Sequence, residues 1–245
     1  MEAVGVENTT TMKAVRVHSY GGPEVLRYEE APRPATGASE VLVRVRAAGV
    51  NPMDWKIREG YLKDRLRLEL PFIPGWDLSG VVQETGAGVT QFRCGDEVFS
   101  RPDMARNGAY AEYIVVEESL LAKKPRNLNH THAAGVPLAA MTAWQALFDA
   151  AQVRRKQRVL IHAGAGGVGS FAVQLAKWKG AQAIATCSTA NVEFVKGLGA
   201  DEVIDYRQAD FTHMKHVDAV LDTLGGEVQE WSWKVVKPYG ILGRC

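Results

Sequence analysis

The chain has 245 residues, 46% of them apolar and 23% charged, with a formal net charge of +1. This composition excludes intrinsic disorder. It also removes the simplest basis for nucleic-acid or anionic-membrane binding, which needs clustered Lys and Arg, and leaves a small molecule as the expected partner.

Residues 1–11 read as a loose tail, with no basic start followed by an apolar run of signal-peptide type. From Met12 onward, short β-branched runs alternate with Gly/Pro punctuation, which predicts a β-rich domain over residues 12–128. The pattern changes near Pro125–Asn129, and Ala133–Ala151 then carries apolar residues at helical spacing. Strand patterns follow at Val159–Ala163, Ala183–Cys187, Glu202–Asp205, Val217–Thr223 and Gly240–Leu242. Helical stretches lie between them at Val168–Lys179, Asn191–Leu198 and Val228–Val236. This alternation predicts βαβ units and a parallel sheet over residues 129–245. No run of about 18 apolar residues suggests a membrane span. Cys94, Cys187 and Cys245 are too scattered for a disulfide framework or a zinc knuckle, so a reducing compartment, by default the cytoplasm, is expected.

The apolar strand Val159–Ala163 runs into Gly164-Ala165-Gly166-Gly167-Val168-Gly169 and then a helix. Each motif glycine has a mechanical reason: a tight turn at Gly164, close backbone approach to a pyrophosphate at Gly166, and helix-on-strand packing at Gly169. Gly167 and Val168 complete the turn at the helix N-terminus. The next strand ends Thr186-Cys187-Ser188-Thr189, with hydroxyls and no carboxylate where a ribose 2′-substituent is read. This favours NADP(H) over NAD(H); Ser188 and Thr189 also suit a helix cap.

These residues, together with AAGVNPMDWKIREG (Ala47–Gly60), IPGWDLSGVV (Ile73–Val82), CGDEVF (Cys94–Phe99), PLAAMTAWQAL (Pro137–Leu147), LGADEVIDY (Leu198–Tyr206) and DTLGG (Asp222–Gly226), resemble the medium-chain dehydrogenase/reductase superfamily. Within it they are similar to the zinc-independent, quinone oxidoreductase-like branch. The resemblance implies an α/β protein: a chaperonin-10-like catalytic domain, a doubly wound Rossmann cofactor domain, and an active site in the cleft between them.

Zinc members of the superfamily carry a cysteine after a Gly-Val pair and a Gly-His-Glu further on. Here those places read Gly49-Val50-Asn51 and Gly75-Trp76-Asp77, a poor donor set for zinc. Without a Lewis acid, the expected substrate is an already electrophilic acceptor, a quinone or an α,β-unsaturated carbonyl. The resemblance puts Asn51 beside nicotinamide and substrate, where its amide donates to a developing oxyanion; as an Asn-Pro pair it also suits a turn. Lys56 and Tyr61 are weaker candidates for proton donor or polar contact, or else a solvated lysine and a packed tyrosine. The resemblance brings the Thr142 hydroxyl near the nicotinamide and lines its ribose side with Leu224 and Gly225. Asn191 replaces a lysine that grips the 2′-phosphate in some relatives, and Tyr206 and Arg207 are positioned to compensate by stacking or pairing.

The pairs His130/His132 and His213/His216 lack a third ligand at recognisable spacing and read as surface residues, while His162 reads as ordering the glycine loop by a hydrogen bond. A doubly wound sheet of this type has a sixth strand, for which the sequence offers no candidate. The chain is therefore expected to be C-terminally truncated, with an exposed fifth strand, a missing dimer edge and uncertain turnover. The alternative reading is a catalytically inactive NADP-binding fragment or redox sensor.

Overall fold

A computed structural model describes residues 10–214 and 216–244. The chain divides into two compact units, Met1–Leu138 and Ala139–Cys245.

The first unit is antiparallel. Strands β1 (Thr11–Val17) and β2 (Leu26–Pro32) pair with each other, so strand structure starts at the last residue of the segment expected as a tail; residues 1–9 lie outside the described residues. Then come β3 (Glu40–Ala48), α1 (Pro52–Arg58), β4 (Leu78–Thr85), β5 (Glu97–Ser100), β6 (Tyr113–Glu117) and β7 (Leu121–Lys123). The five strands from β3 to β7 form one sheet in the order β6-β3-β4-β5-β7. Period-two alternation sends Val41 and Val43 of β3 into a core with Leu78, Val82, Val98, Ile114 and Val116. Helix α2 (His130–Ala134), capped by the Asn129 side chain on the His132 N–H, packs against β3 and β4.

The second unit is a parallel sheet. After α3 (Pro137–Trp144), which runs into a π-type segment at Gln145–Ala150, the order is β8 (Arg158–Ile161), α4 (Gly167–Lys179), β9 (Gln182–Cys187), α5 (Val192–Gly197), β10 (Glu202–Asp205), β11 (Val217–Asp222), α6 (Glu227–Ser232) and β12 (Val236–Arg244). The strands lie in the order β10-β9-β8-β11-β12, all pairs parallel, so the winding reverses between β8 and β11. Both faces are apolar, as a covered parallel sheet requires. Val159, Ile161, Ala183, Ala185 and Leu221 pack with Ala172, Val173 and Ala176 of α4, while Leu160, Ile184, Ile204 and Val220 pack with Phe211 and Val235.

Three elements depart from their sequence patterns. The helical spacing over Ala133–Ala151 is broken at Gly135 and Pro137 into α2 and α3. The helix expected over Val228–Val236 stops at Ser232, because the Val235 carbonyl is taken by the Val217 N–H and Val236 enters the sheet. The short strand expected at Gly240–Leu242 extends over Val236–Arg244. Among the described residues it pairs with β11 alone, and Pro238, which has no N–H to donate, falls in the irregular stretch between the Val236 and Ile241 pairs.

Candidate active site

In the second unit, the motif glycines sit where β8 turns into α4. A Cβ on Gly164 would lie 2.8 Å from the Ala185 Cβ, and one on Gly169 would lie 2.1 Å from the Ala163 carbonyl oxygen. Both glycines are therefore demanded by packing alone. Gly166 is different: it is the exposed N-cap of α4, and its Cβ would meet only the Ala163 oxygen, at 3.2 Å, and the Ala163 Cβ, at 4.0 Å. The first turn of this 13-residue helix carries no acidic side chain. Its unpaired N–H groups and the helix dipole fit a diphosphate.

A cavity of about 730 Å³ opens at the carboxyl ends of β8, β9, β10 and β11. It gathers Tyr206, Arg207 and Leu224, three of the residues expected from sequence, with His162, Thr186, Phe211, Val228 and Trp231. Its size suits a nucleoside-sized ligand. Beyond β9, the Asn191 side chain donates to the Ser188 hydroxyl at 3.1 Å. Sequence reading missed Asp205. Its register opposite Cys187 brings the carboxylate to the end of β9, where the Thr189 hydroxyl, the Arg207 N–H and the Gln208 side chain all donate to it and hold its pKa low. The acid is thus supplied by the neighbouring strand but is already occupied by three donors. Thr142 lies half-buried on α3. The Leu224–Gly225 turn is pinned by the buried Asp222 carboxylate, which accepts from the Leu224 N–H at 2.8 Å and the Gly225 N–H at 3.0 Å.

In the first unit, Asn51 is the N-cap of α1, with Pro52 in the first turn, so the expected turn role is met. Its side chain is also placed by a partner 26 residues away: Nδ2 donates to the Asp77 carboxylate at 3.0 Å, while the Asn51 backbone N–H donates to Asp54 at 2.6 Å. Asp77 is fully buried and also accepts from the Leu138 N–H at 2.9 Å; burial pushes its pKa up to about 6. Burial likewise raises Asp54, although the Tyr110 hydroxyl donates to it at 2.9 Å, and desolvation with the two neighbouring carboxylates raises the Tyr110 hydroxyl. Gly75 makes room for that tyrosine: it sits at φ +97°, and a Cβ there would lie 2.4 Å from the Tyr110 ring. Lys56 and Tyr61 are exposed, and both flank Trp55, the ammonium 5.8 Å from its ring centre and the tyrosine ring edge-on at 5.7 Å.

The histidines divide. His132, His213 and His216 are exposed as expected, but His130 is not a free surface residue: it bonds the Ser79 hydroxyl at 2.8 Å and pairs with Glu97 at 3.3 Å, joining α2 to β4 and β5. Among the described residues, no group of three or more His, Cys, Asp or Glu side chains is arranged to hold a metal, and no helix is long and apolar enough to cross a membrane.

The alcohol dehydrogenase GroES-like domain family matches residues 37–126, and the zinc-binding dehydrogenase family matches residues 167–243. A chloroplastic quinone-oxidoreductase homolog of Spinacia oleracea is 41% identical over 80% of this chain, and a chloroplastic NADPH-dependent alkenal/one oxidoreductase of Arabidopsis thaliana is 38% identical over 94% of it. The chain spans 61% of the length of each of these curated relatives. The solved quinone oxidoreductase of Coxiella burnetii superposes with a TM-score of 0.87 at 39% identity, covering 95% of this chain and 74% of that one. The chain belongs to the quinone oxidoreductase-like branch of the medium-chain dehydrogenase/reductase superfamily.

Proposed function

We propose that this chain serves an NADPH-dependent reductase of quinones or α,β-unsaturated carbonyls that works without zinc. The observation that carries the cofactor assignment is the α4 N-terminus: an uncovered glycine N-cap, two sterically required glycines behind it, and an adjoining cavity with Tyr206 and Arg207. Gly164, Gly166, Gly167, Val168 and Gly169 would hold the diphosphate. Ser188, Asn191, Tyr206 and Arg207 would hold the adenosine 2′-phosphate side, and Thr142, Leu224 and Gly225 the nicotinamide side. Arg207 supplies the fixed positive charge that Asn191 lacks and offsets the ionised Asp205 carboxylate nearby.

When bound, the reduced nicotinamide supplies a hydride, and a conjugated acceptor then needs one proton. Asn51 has one amide N–H committed to Asp77 and a second left for an oxygen that gains negative charge. Lys56, Tyr61 or water supplies the proton. The zinc-free reading rests on donor chemistry: the Trp76 indole N–H donates to the Arg106 carbonyl at 3.3 Å and has no lone pair for a metal, and Asn51 is held by a carboxylate. Cys94 and Cys187 are free thiols, which suits a reducing compartment.

The test is NADPH oxidation by the chain against a panel of quinones, enones and alkanals. Turnover with conjugated acceptors supports the reading. Turnover with aliphatic aldehydes alone refutes it, and NADPH binding without turnover on any acceptor supports a non-catalytic cofactor sensor instead.

A further inference from the structure

The side chain of His162 joins segments that are far apart in sequence. Nε2 lies 2.8 Å from the Ser232 hydroxyl on α6, and Nδ1 lies 3.2 Å from the Thr186 hydroxyl at the end of β9. Thr186 in turn accepts from the Ala163 N–H at 3.3 Å, within the β8–α4 turn. The ring is 1% exposed and packs edge-on against Phe211 at 4.7 Å.

Counting protons fixes the direction of this chain. The Ser232 hydroxyl has one hydrogen and donates it to the Val228 carbonyl at 2.6 Å, so it can only accept from His162. Nε2 therefore carries the proton. Nδ1 is then a lone pair, and Thr186 must donate to it while accepting from Ala163. The bonds run Ala163 N–H to Thr186, Thr186 to His162, His162 to Ser232, and Ser232 to the Val228 carbonyl, every group being donor and acceptor in a single sense.

We infer that His162, as the neutral Nε2–H tautomer, is a positioning residue that locks the diphosphate turn at Ala163–Gly164 to helix α6. Because α6 follows directly from the Leu224–Gly225 turn, one imidazole holds two proposed cofactor-binding segments in register. Two further bonds reinforce it: the Gly164 N–H donates to the Thr186 carbonyl at 2.8 Å, and the Thr223 hydroxyl donates to the His162 carbonyl at 3.4 Å. A protonated ring would turn Nδ1 into a donor facing the Thr186 hydroxyl and reverse the chain. Burial opposes this and pushes the His162 pKa down to about 4, although the Asp222 carboxylate favours the charge; Arg207, Tyr206 and Asp210 line the cavity on the open side.

The inference rests on the NADPH reading, and its test separates the two. NADPH affinity is measured by fluorescence titration of the full chain, and the His162 tautomer by long-range 15N–1H correlation on the cofactor-free protein. Removing one link of a buried chain leaves its neighbour unpaired, so His162→Leu and Thr186→Val should each weaken NADPH binding by about tenfold. The double variant should lose no more than either single, because the residues act in series. His162→Gln, which keeps one donor and one acceptor, should restore most of the affinity. Ser232→Ala removes the acceptor at Nε2 and should bring the Nδ1–H tautomer into view in a protein that stays folded. Additive losses in the double variant, or an unchanged tautomer in Ser232→Ala, would overturn the inference. If the wild-type chain binds no NADPH, the functional reading fails, while the tautomer measurement still decides whether the directed chain exists.

Discussion

Three of the four glycines of the β8–α4 segment, Gly166, Gly167 and Gly169, have separable duties, and alanine at each of these positions should expose them. At Gly169 the new methyl would sit 2.1 Å from the Ala163 oxygen, 2.8 Å from the Ala163 carbonyl carbon and 2.9 Å from the Gly164 Cα, all backbone atoms that no rotamer change can move. Relieving this contact requires the start of α4 to retreat by about 1 Å, and such overpacking costs roughly 1–3 kcal/mol. The opposing gain in helix propensity from Gly to Ala is about 1 kcal/mol. Gly169→Ala should therefore lose up to about 2 kcal/mol, or up to about 8 °C in Tm for a chain of this size, and weaken NADPH binding with it. Gly167→Ala should be the reverse: its methyl meets only the Ala139 Cβ at 3.8 Å, and helix propensity makes the change neutral or stabilising. Gly166→Ala is the diagnostic case. Its φ of −77° and the 3.2 Å contact to Ala163 are tolerable, so Tm should move by only a few degrees, but the methyl projects at the exposed N-cap where phosphate oxygens approach. NADPH affinity should fall by at least tenfold with little change in stability. Thermal unfolding and fluorescence titration of the three variants give the ranking. If Gly167→Ala is as damaging as Gly169→Ala, or Gly166→Ala binds NADPH like wild type, the division of duties is wrong.

Ser188→Asp puts a fixed carboxylate at the end of β9, beside the Asn191 amide, and should shift the NADPH-to-NADH affinity ratio towards NADH; an unchanged ratio would show that the 2′-phosphate lies elsewhere. Asn51→Ala should lower turnover more than NADPH affinity, because its free N–H acts where charge develops; steady-state kinetics with turnover unaltered would reduce Asn51 to its capping role. The Asp77 carboxyl, followed by 13C NMR, should titrate near pH 6. Since its folded pKa lies above the unfolded value, its stabilising contribution is full below about pH 4 and is lost as pH rises through about 6, a change on the order of 3 kcal/mol that Asp77→Asn should abolish. His162 works with the opposite sign: its contribution is full above about pH 6.5 and is lost as pH falls through about 4, so His162→Gln should flatten the acid limb of urea-unfolding stability.

The parts of the fold that were legible in the sequence are those where local pattern and tertiary demand coincide. The apolar run Val159–Ile161, bounded by the glycine turn, is all that a buried parallel strand needs, and at the sheet edge Val203 and Ile204 between two acids suffice for β10. The end of α6 was not legible because it is decided by a partner: the Val217 N–H captures the Val235 carbonyl across the sheet, and no periodicity in 228–236 announces it. Strand β12 was under-read for a related reason. Pro238 and Gly240 punctuate it like a loop, and they fit because the pairing with β11 is interrupted between Val236 and Ile241.

The candidate site follows the same rule, with one exception that is a usable signal. The Asn51–Asp77 bond joins residues 26 apart on different elements, and the Asp205 carboxylate reaches the β9 end only through strand register; neither relation can be read along the chain. Yet Asp77, His162, Thr186 and Asp222 share a feature visible beforehand: each is a polar residue in or at the edge of an apolar run, in IPGWDL, VLIHAG, AIATC and AVLDTL. All four are buried, and a buried polar group persists only when its hydrogen bonds are met. Three of them lie at the carboxyl edge of the parallel sheet, and their bonds hold the turns there: the Thr186 hydroxyl accepts from the Ala163 N–H and is itself bonded by His162, and Asp222 accepts from the Leu224 and Gly225 N–H groups. Those turns are the segments assigned to the cofactor. The polar residue that interrupts an apolar strand thus marks where the backbone must be held for binding, and it marks it more specifically than the glycines, which two of three times answer to packing alone.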